Sequence, residues 1–266
     1  MSSAASTVHS PTMRFQGRVA LITAGGRGIG RATAEIIGRE GGTVVLVDTD
    51  KAALDEAAGA IRNGGGEAHT LVADALDAGQ VESVVQRTVQ DHRRIDILVN
   101  AVGGSTIIGK PAAPIDELTL DDWQRLLNFN LTGTFLFCHA VIPIMKRQAA
   151  GKIVNVSSIA GRGISASSSA AYATAKGGVI ALTRKLSLEL GPFGINVNAI
   201  APSLTLSPRL RPRWDGMSPM EQKAEVERVP LRRIAEPQDQ ARVICFLASS
   251  DADFVTGLTI DVTGGQ

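Results

Sequence analysis

RVALITAGGRGIGRATAEI, residues 18 to 36, passes from a short apolar run through a glycine-rich turn into a stretch with helical periodicity. Gly25, Gly28 and Gly30 permit a tight turn and let backbone N–H groups approach a pyrophosphate at a helix N-terminus. Thr23 before the turn, and Arg27 and Ile29 within it, complete the expected cradle. The spacing is not G-x-G-x-x-G, so the context has to lend it meaning. The next apolar run, TVVLVD at 43 to 48, ends on Asp48. A carboxylate there accepts hydrogen bonds from the adenosine ribose and repels a 2′-phosphate, or else caps the following helix. Arg27 would favour an extra phosphate, but no basic residue directly follows Asp48. NAD is expected rather than NADP.

Five further apolar runs follow: HTLVAD (69 to 74), IDILVN (95 to 100), KIVNVS (152 to 157), INVNAI (195 to 200) and LTIDV (258 to 262). Nearly continuous Val, Ile and Leu mark strands buried on both faces, as in parallel sheets covered by helices. Between them lie helix starts. Asp77 with Gln80 and Thr119 with Asp122 read as capping boxes, and Pro237 as a first helical residue. The alternation predicts an α/β fold, a doubly wound parallel sheet of about seven strands, forming one domain over 14 to 266. Ala73 and Asp74 close the third strand, Asp74 either binding the adenine or capping its turn. Asn100 and Gly103 close the fourth, Asn100 either bridging strands or touching the ligand. Two long connections, 103 to 118 and the proline-rich 202 to 236, read as binding loops.

Charge is balanced, 27 basic against 26 acidic side chains, which argues against nucleic acid or an anionic membrane as partner. No uninterrupted apolar run reaches the roughly 18 residues of a membrane span. Residues 1 to 13 read as a disordered tail without a signal-peptide core. Cys138 and Cys245 are expected as buried reduced thiols in a cytoplasmic protein. His69, His92 and His139 show no metal-ligand spacing, and no metal is expected.

The chemistry concentrates in AAYATAKGG. Tyr172 and Lys176 stand four apart and share a helix face. A free phenol titrates near 10. An ammonium about 4 Å away contributes roughly 4 kcal/mol at an intermediate dielectric, about three pKa units. The lysine is therefore expected to draw the tyrosine down into service as a general acid/base. Ser157 and Ser158 end the preceding strand, at the sheet edge where such folds bind cofactors.

With these motifs the chain resembles the short-chain dehydrogenase/reductase family from about Arg14 to Gln266. The family's T-G-x-x-x-G-x-G is met by Thr23, Gly28 and Gly30, with Ala24 at the first glycine. N-N-A-G appears as NAVG at 100 to 103, and N-x-x-G as Asn130 and Gly133. Ser158, Tyr172 and Lys176 match the catalytic serine, tyrosine and lysine. P-G becomes Pro202-Ser203, with Thr205 close behind and Ser207 at the usual threonine. The resemblance implies that Tyr172 is the acid/base, that Lys176 lowers its pKa and binds the nicotinamide ribose, and that Ser158 orients the carbonyl. It implies that Asn130 holds a water in a proton relay, that Pro202, Ser203 and Thr205 meet the cofactor, and that the chains assemble as homodimers or homotetramers. The expected reaction is hydride transfer between NAD(H) and a secondary alcohol or ketone. The alternative is an NADPH-dependent 3-oxoacyl-[acyl-carrier-protein] reductase. A halohydrin lyase would carry arginine in place of Lys176, and a silent nucleotide sensor would have lost the tyrosine or lysine.

The substrate wall is expected from Ile107, Ile108, Leu204, Leu206 and Trp214, with Ser105, Ser165 and Ser167. Arg162, Arg209, Arg211 and Arg213 form either an anion pocket or a solvated basic loop. Trp123 packs its helix or lines the pocket. Pro143 implies a kink, and the small residues of 171 to 178 leave room for another element.

Overall fold

Seven strands run parallel in the order β3-β2-β1-β4-β5-β6-β7 in the computed structural model, which describes residues 13–165 and 167–266. The expected tail thus lies, but for Met13, outside the described residues. The strands are β1 (Val19–Thr23), β2 (Thr43–Asp48), β3 (Glu67–Val72), β4 (Ile97–Asn100), β5 (Gly151–Val156), β6 (Ile195–Pro202) and β7 (Thr259–Val262). The order reverses between β1 and β4, which opens a crevice at the carboxyl ends of those strands. Every strand expected from an apolar run is present. β3 begins two residues early and ends before Ala73, because it is an edge strand with half its side chains in water.

One face of the sheet packs on α1 (Gly28–Arg39), α2 (Lys51–Asn63) and α9 (Pro237–Ala248). The other packs on α3 (Ala78–His92), on α5 (Gly133–Gln148) and on the end of α6 (Ala170–Leu190). Ile22, Leu46 and Val99 point to the first face, and Leu21, Val45 and Leu98 to the second, all essentially without solvent contact. Each such side chain contributes roughly 1.5–3 kcal/mol of hydrophobic stabilisation.

The helix starts follow their caps. Asp77 accepts from the Gln80 N–H at 3.0 Å, but the Gln80 side-chain oxygen reaches the Asp74 N–H instead of closing a reciprocal box. Thr119 accepts from the Asp122 N–H at 3.0 Å, and the Asp122 carboxylate takes the Thr119 hydroxyl. The cap of α2 is Asp50, not Asp48. α4 (Leu120–Leu127) enters α5 through a π-helical turn, Asn128–Thr132. This helical run is by length and composition apolar enough to cross a membrane, against expectation. Its Phe137, Cys138, Val141 and Met145 are nevertheless buried on the sheet, while His139 is exposed beside Phe135. α5 continues as helix through Pro143.

A chain of buried amides joins the second layer to the sheet. The Asn100 amide nitrogen donates to the Asn155 side-chain oxygen at 2.9 Å and to the Cys138 sulfur at 3.4 Å. The Asn155 amide nitrogen donates to the Thr183 hydroxyl on α6 at 3.0 Å. The side-chain oxygen of Asn100 finds no partner among the described residues. Burial pushes the Cys138 and Cys245 thiols up to about 12, and both are free, as expected. The excursion after β6 folds into α7 (Arg211–Asp215) and α8 (Pro219–Glu227) over a small core of Leu206, Val229 and Ile234.

Candidate active site

The crevice, about 470 Å³, runs from the turn after β1 past the ends of β2 and β4 to the start of α6. Its first part is the glycine turn. Ala24, standing where the motif has glycine, adopts φ +49°, a left-handed conformation that costs an alanine about 1 kcal/mol. Gly30 tolerates no side chain: a Cβ would overlap the Ala24 carbonyl oxygen. The turn is thus as tight as a glycine pair would make it, and Thr23, Ala24, Arg27, Gly28, Ile29 and Gly30 line the crevice. Gly25 does not. Its N–H bonds the Val47 carbonyl at 3.0 Å and it packs against Leu46, so it fastens the turn to β2.

Asp48 lies in the crevice wall with its carboxylate accepting from the Gly26 N–H at 3.2 Å, which orients it toward the turn. Arg27, the residue that favoured a phosphate, pairs with Asp50 at 2.7 Å. Ala73 and Asp74 line the same end, and Asp74 caps its own turn by accepting from the Leu76 N–H at 2.9 Å. Asn100 does not reach the crevice; its side chain is committed to Asn155, which decides for the bridging role. Open space over the glycine turn, an acceptor carboxylate at the far end of β2 and a polar wall beyond fit a dinucleotide.

At the other end stand the reacting groups. Ser158 accepts from the Ala160 N–H at 3.1 Å, which fixes its hydroxyl at the head of a short 3-10 turn, Ile159–Arg162. That turn presses on α6 because Gly161 has no side chain; a Cβ would lie 2.6 Å from the Lys176 carbonyl carbon. Ser157 closes the same joint, its hydroxyl donating to the Lys176 carbonyl at 2.8 Å. Lys176 is buried, and its Nζ donates to the Val156 carbonyl oxygen at 2.8 Å. Ser158, Tyr172 and Lys176 all face the crevice.

The electrostatics differ from the expectation. Burial, with the Arg209 charge assisting, brings Lys176 down to about 7. Burial pushes the Tyr172 phenol up, while the Ser158 hydroxyl and the Arg209 guanidinium draw it down. Desolvation opposes the lysine's charge as it opposes the phenolate's, so the direction of the phenol's shift is the reverse of the expected one. The cation that acts on the phenol is Arg209.

Asn130 is fully buried and outside the crevice lining. Its amide nitrogen donates to the Gly104 and Leu126 carbonyls, both at 3.0 Å, and its side-chain oxygen accepts from the Gly104 N–H at 2.8 Å. The side chain thus ties the backbone after β4 to the last turn of α4, and neither amide hydrogen is left over for the relay water it was expected to hold.

The loop after β6 lines the crevice with Pro202, Ser203, Thr205, Ser207 and Arg209. Leu204 and Trp214 instead pack on the excursion's core. Ile107, Ile108 and Trp123 pack around Leu126 beside Tyr172, so Trp123 holds the tyrosine's surroundings rather than lining the crevice. Of the arginines, Arg162 is tied to Asp261 and Arg211 to Glu236. Arg209 has no carboxylate partner among the described residues and donates to the Gly103 carbonyl at 3.1 Å. The small residues of α6 admit neighbours of the same chain, Gly161 at Gly177 and Leu131 at Gly178. Sequence reasoning missed the Val156 carbonyl, which holds the lysine; a backbone atom leaves no mark in the sequence.

Comparison with known proteins agrees with this geometry. The profile of the family described as Enoyl-(Acyl carrier protein) reductase matches residues 23–266. Levodione reductase of Leifsonia aquatica is 38% identical over 264 residues, 97% of each chain. The 3-oxoacyl-[acyl-carrier-protein] reductase of Thermotoga maritima is 36% identical, covering 95% of this chain and 99% of that one. A 3-oxoacyl-[acyl-carrier protein] reductase from Brucella melitensis with bound NAD superposes with a TM-score of 0.87 at 32% identity, over 100% of this chain and 97% of the other. The chain belongs to the short-chain dehydrogenase/reductase family, oxidoreductases that move a hydride between a nicotinamide cofactor and an alcohol or ketone.

Proposed function

We propose that the protein interconverts a secondary alcohol and its ketone with NAD(H), and that the substrate carries an anionic group. The observation that carries the first part is the meeting of Ser158, Tyr172 and Lys176 on one wall of a crevice that begins at the glycine turn. Thr23, Gly28, Ile29 and Gly30 would hold the pyrophosphate half, Asp48 the adenosine ribose, and Pro202, Ser203 and Thr205 the nicotinamide end. When bound, the nicotinamide supplies or accepts the hydride.

The chain's own residues manage the substrate oxygen. Tyr172 gives that oxygen its proton in ketone reduction and takes it back in alcohol oxidation, while the Ser158 hydroxyl hydrogen-bonds the same oxygen. Lys176, fastened by one hydrogen to Val156 and titrating near neutrality, can pass a proton between the phenol and solvent and still reach a ribose hydroxyl. NAD is favoured over NADP because Asp48 opposes a 2′-phosphate and Arg27 is already paired with Asp50.

Arg209 supports the anionic group. It is the crevice arginine without an acidic partner among the described residues, and its charge reaches Tyr172. A carboxylate or sulfonate near the reacting carbon would complete it. A second reading, a 3-oxoacyl-[acyl-carrier-protein] reductase, is favoured by the two relatives of that name. Assembly into homodimers or homotetramers rests on the family resemblance, and a cytoplasmic setting on the two buried free thiols. Steady-state rates over charged and uncharged secondary alcohols, ketones and a 3-oxoacyl thioester, each with both cofactors, test these readings together. Turnover confined to the thioester with NADPH would establish the second reading. Equal kcat/KM of wild type and Arg209→Met on a charged substrate would remove the anion site.

A further inference from the structure

At the end of the sheet away from the crevice, β3 begins with Glu67 and His69. Two residues apart on a strand, their side chains leave on one face. α3 packs on that face and ends at His92. The three residues lie 2 and 23 positions apart along the chain, so no ligand spacing shows in the sequence. In space one ligand atom from each lies within 4.8 Å of the others. The His69 Nε2 is 3.0 Å from a Glu67 carboxylate oxygen. The His69 and His92 rings meet edge to face with centroids 4.6 Å apart. The other Glu67 oxygen accepts from the Thr43 hydroxyl at 2.9 Å.

Two imidazoles and one carboxylate form a donor set of borderline softness, suited to zinc and its neighbours rather than to magnesium or calcium. Bonds of roughly 2.0–2.2 Å to a tetrahedral ion place its donors about 3.4 Å apart, within reach of small side-chain rotations here. Glu67 and His69 are exposed and His92 is half-buried, so an ion can enter from solvent and keep a water as its fourth ligand. Two further features favour it. His92 is the last residue of α3, where free carbonyls make the potential negative. Thr43 holds the second carboxylate oxygen, the kind of outer partner that orients a ligand.

We propose that Glu67, His69 and His92 form a binding site for a divalent transition-metal ion, Zn²⁺ by preference, that ties the start of β3 to the end of α3. None of the three lines the crevice, so the site stands apart from hydride transfer and its test does not depend on the proposed function.

The experiment is calorimetric titration of tag-free, chelator-stripped full-length protein with ZnCl₂ at pH 7.5, paired with thermal unfolding. One saturable site per chain is expected, with no comparable site for MgCl₂. His69→Ala and His92→Ala should each weaken zinc binding at least ten-fold. Zinc should raise the unfolding temperature of the wild type and not that of the double variant. Thermal unfolding without metal checks that the variants fold. Absence of a saturable zinc site in the wild type, or zinc binding unchanged in the folded double variant, would overturn the proposal.

Discussion

The Arg209 guanidinium donates to the Gly103 carbonyl oxygen at 3.1 Å, fastening the loop after β6 to the end of β4 across the crevice. The same guanidinium favours the charged phenolate of Tyr172 and disfavours the charged form of Lys176. Both effects lower the pKa concerned. Alcohol oxidation needs the deprotonated tyrosine, so its rate rises with pH through the phenol's pKa. Arg209→Met removes the lowering charge and should carry that rising limb to higher pH. Ketone reduction needs the protonated phenol, and its alkaline decline should move upward as well. The pH dependence of kcat/KM on an uncharged secondary alcohol measures this, and a stationary limb would show that the charge does not reach the phenol.

Tyr172→Phe keeps the ring and its packing beside Leu126 and Ala171 while deleting the hydroxyl. Turnover should drop by at least about 10²-fold, the usual weight of a positioned acid/base. NAD affinity, measured by fluorescence titration, should stay within about two-fold by the same argument, since the cofactor's other contacts are untouched. Retained turnover would refute the assignment.

Asp48→Asn preserves shape and an acceptor for the Gly26 N–H but removes the charge. A hydrogen bond to a charged group contributes about 1.5–3 kcal/mol, so kcat/KM with NAD should fall about 10- to 100-fold. The value with NADP should rise, because the repulsion of a 2′-phosphate is gone. Kinetics with both cofactors decide it; an unchanged ratio would detach Asp48 from the choice of cofactor.

Ala24→Gly relieves a left-handed alanine at φ +49°. The folded protein should gain about 1 kcal/mol, seen as a higher midpoint in chemical denaturation. A lower midpoint would mean that the Ala24 methyl packs more favourably than its backbone is strained.

The sheet was legible because strands buried on both faces must be apolar throughout, as VALIT and TVVLVD are. β3 was misplaced by two residues because an edge strand is half in water, so its apolar run marks only part of it. α7 and α8 were hidden by the prolines of the excursion, two of which, Pro212 and Pro219, sit in the first turns of these helices, where a missing N–H costs nothing. Within the site, the spacing of Tyr172 and Lys176 put both on one helix face, but spacing carries no information about solvent. That is why the direction of the phenol's shift came out reversed. The lone position of Arg209 and the gathering of Glu67, His69 and His92 arise from tertiary packing between distant segments, which leaves no local pattern.

The amide chain from Cys138 through Asn100 and Asn155 to Thr183 constrains how α6 can move. Rolling or sliding that helix by a fraction of a turn would strand the fully buried Asn155 amide at a cost of about 1–3 kcal/mol. The helix therefore has one seating rather than a continuum. The tyrosine it carries therefore faces the crevice at one fixed azimuth, set by the packing of the helix itself.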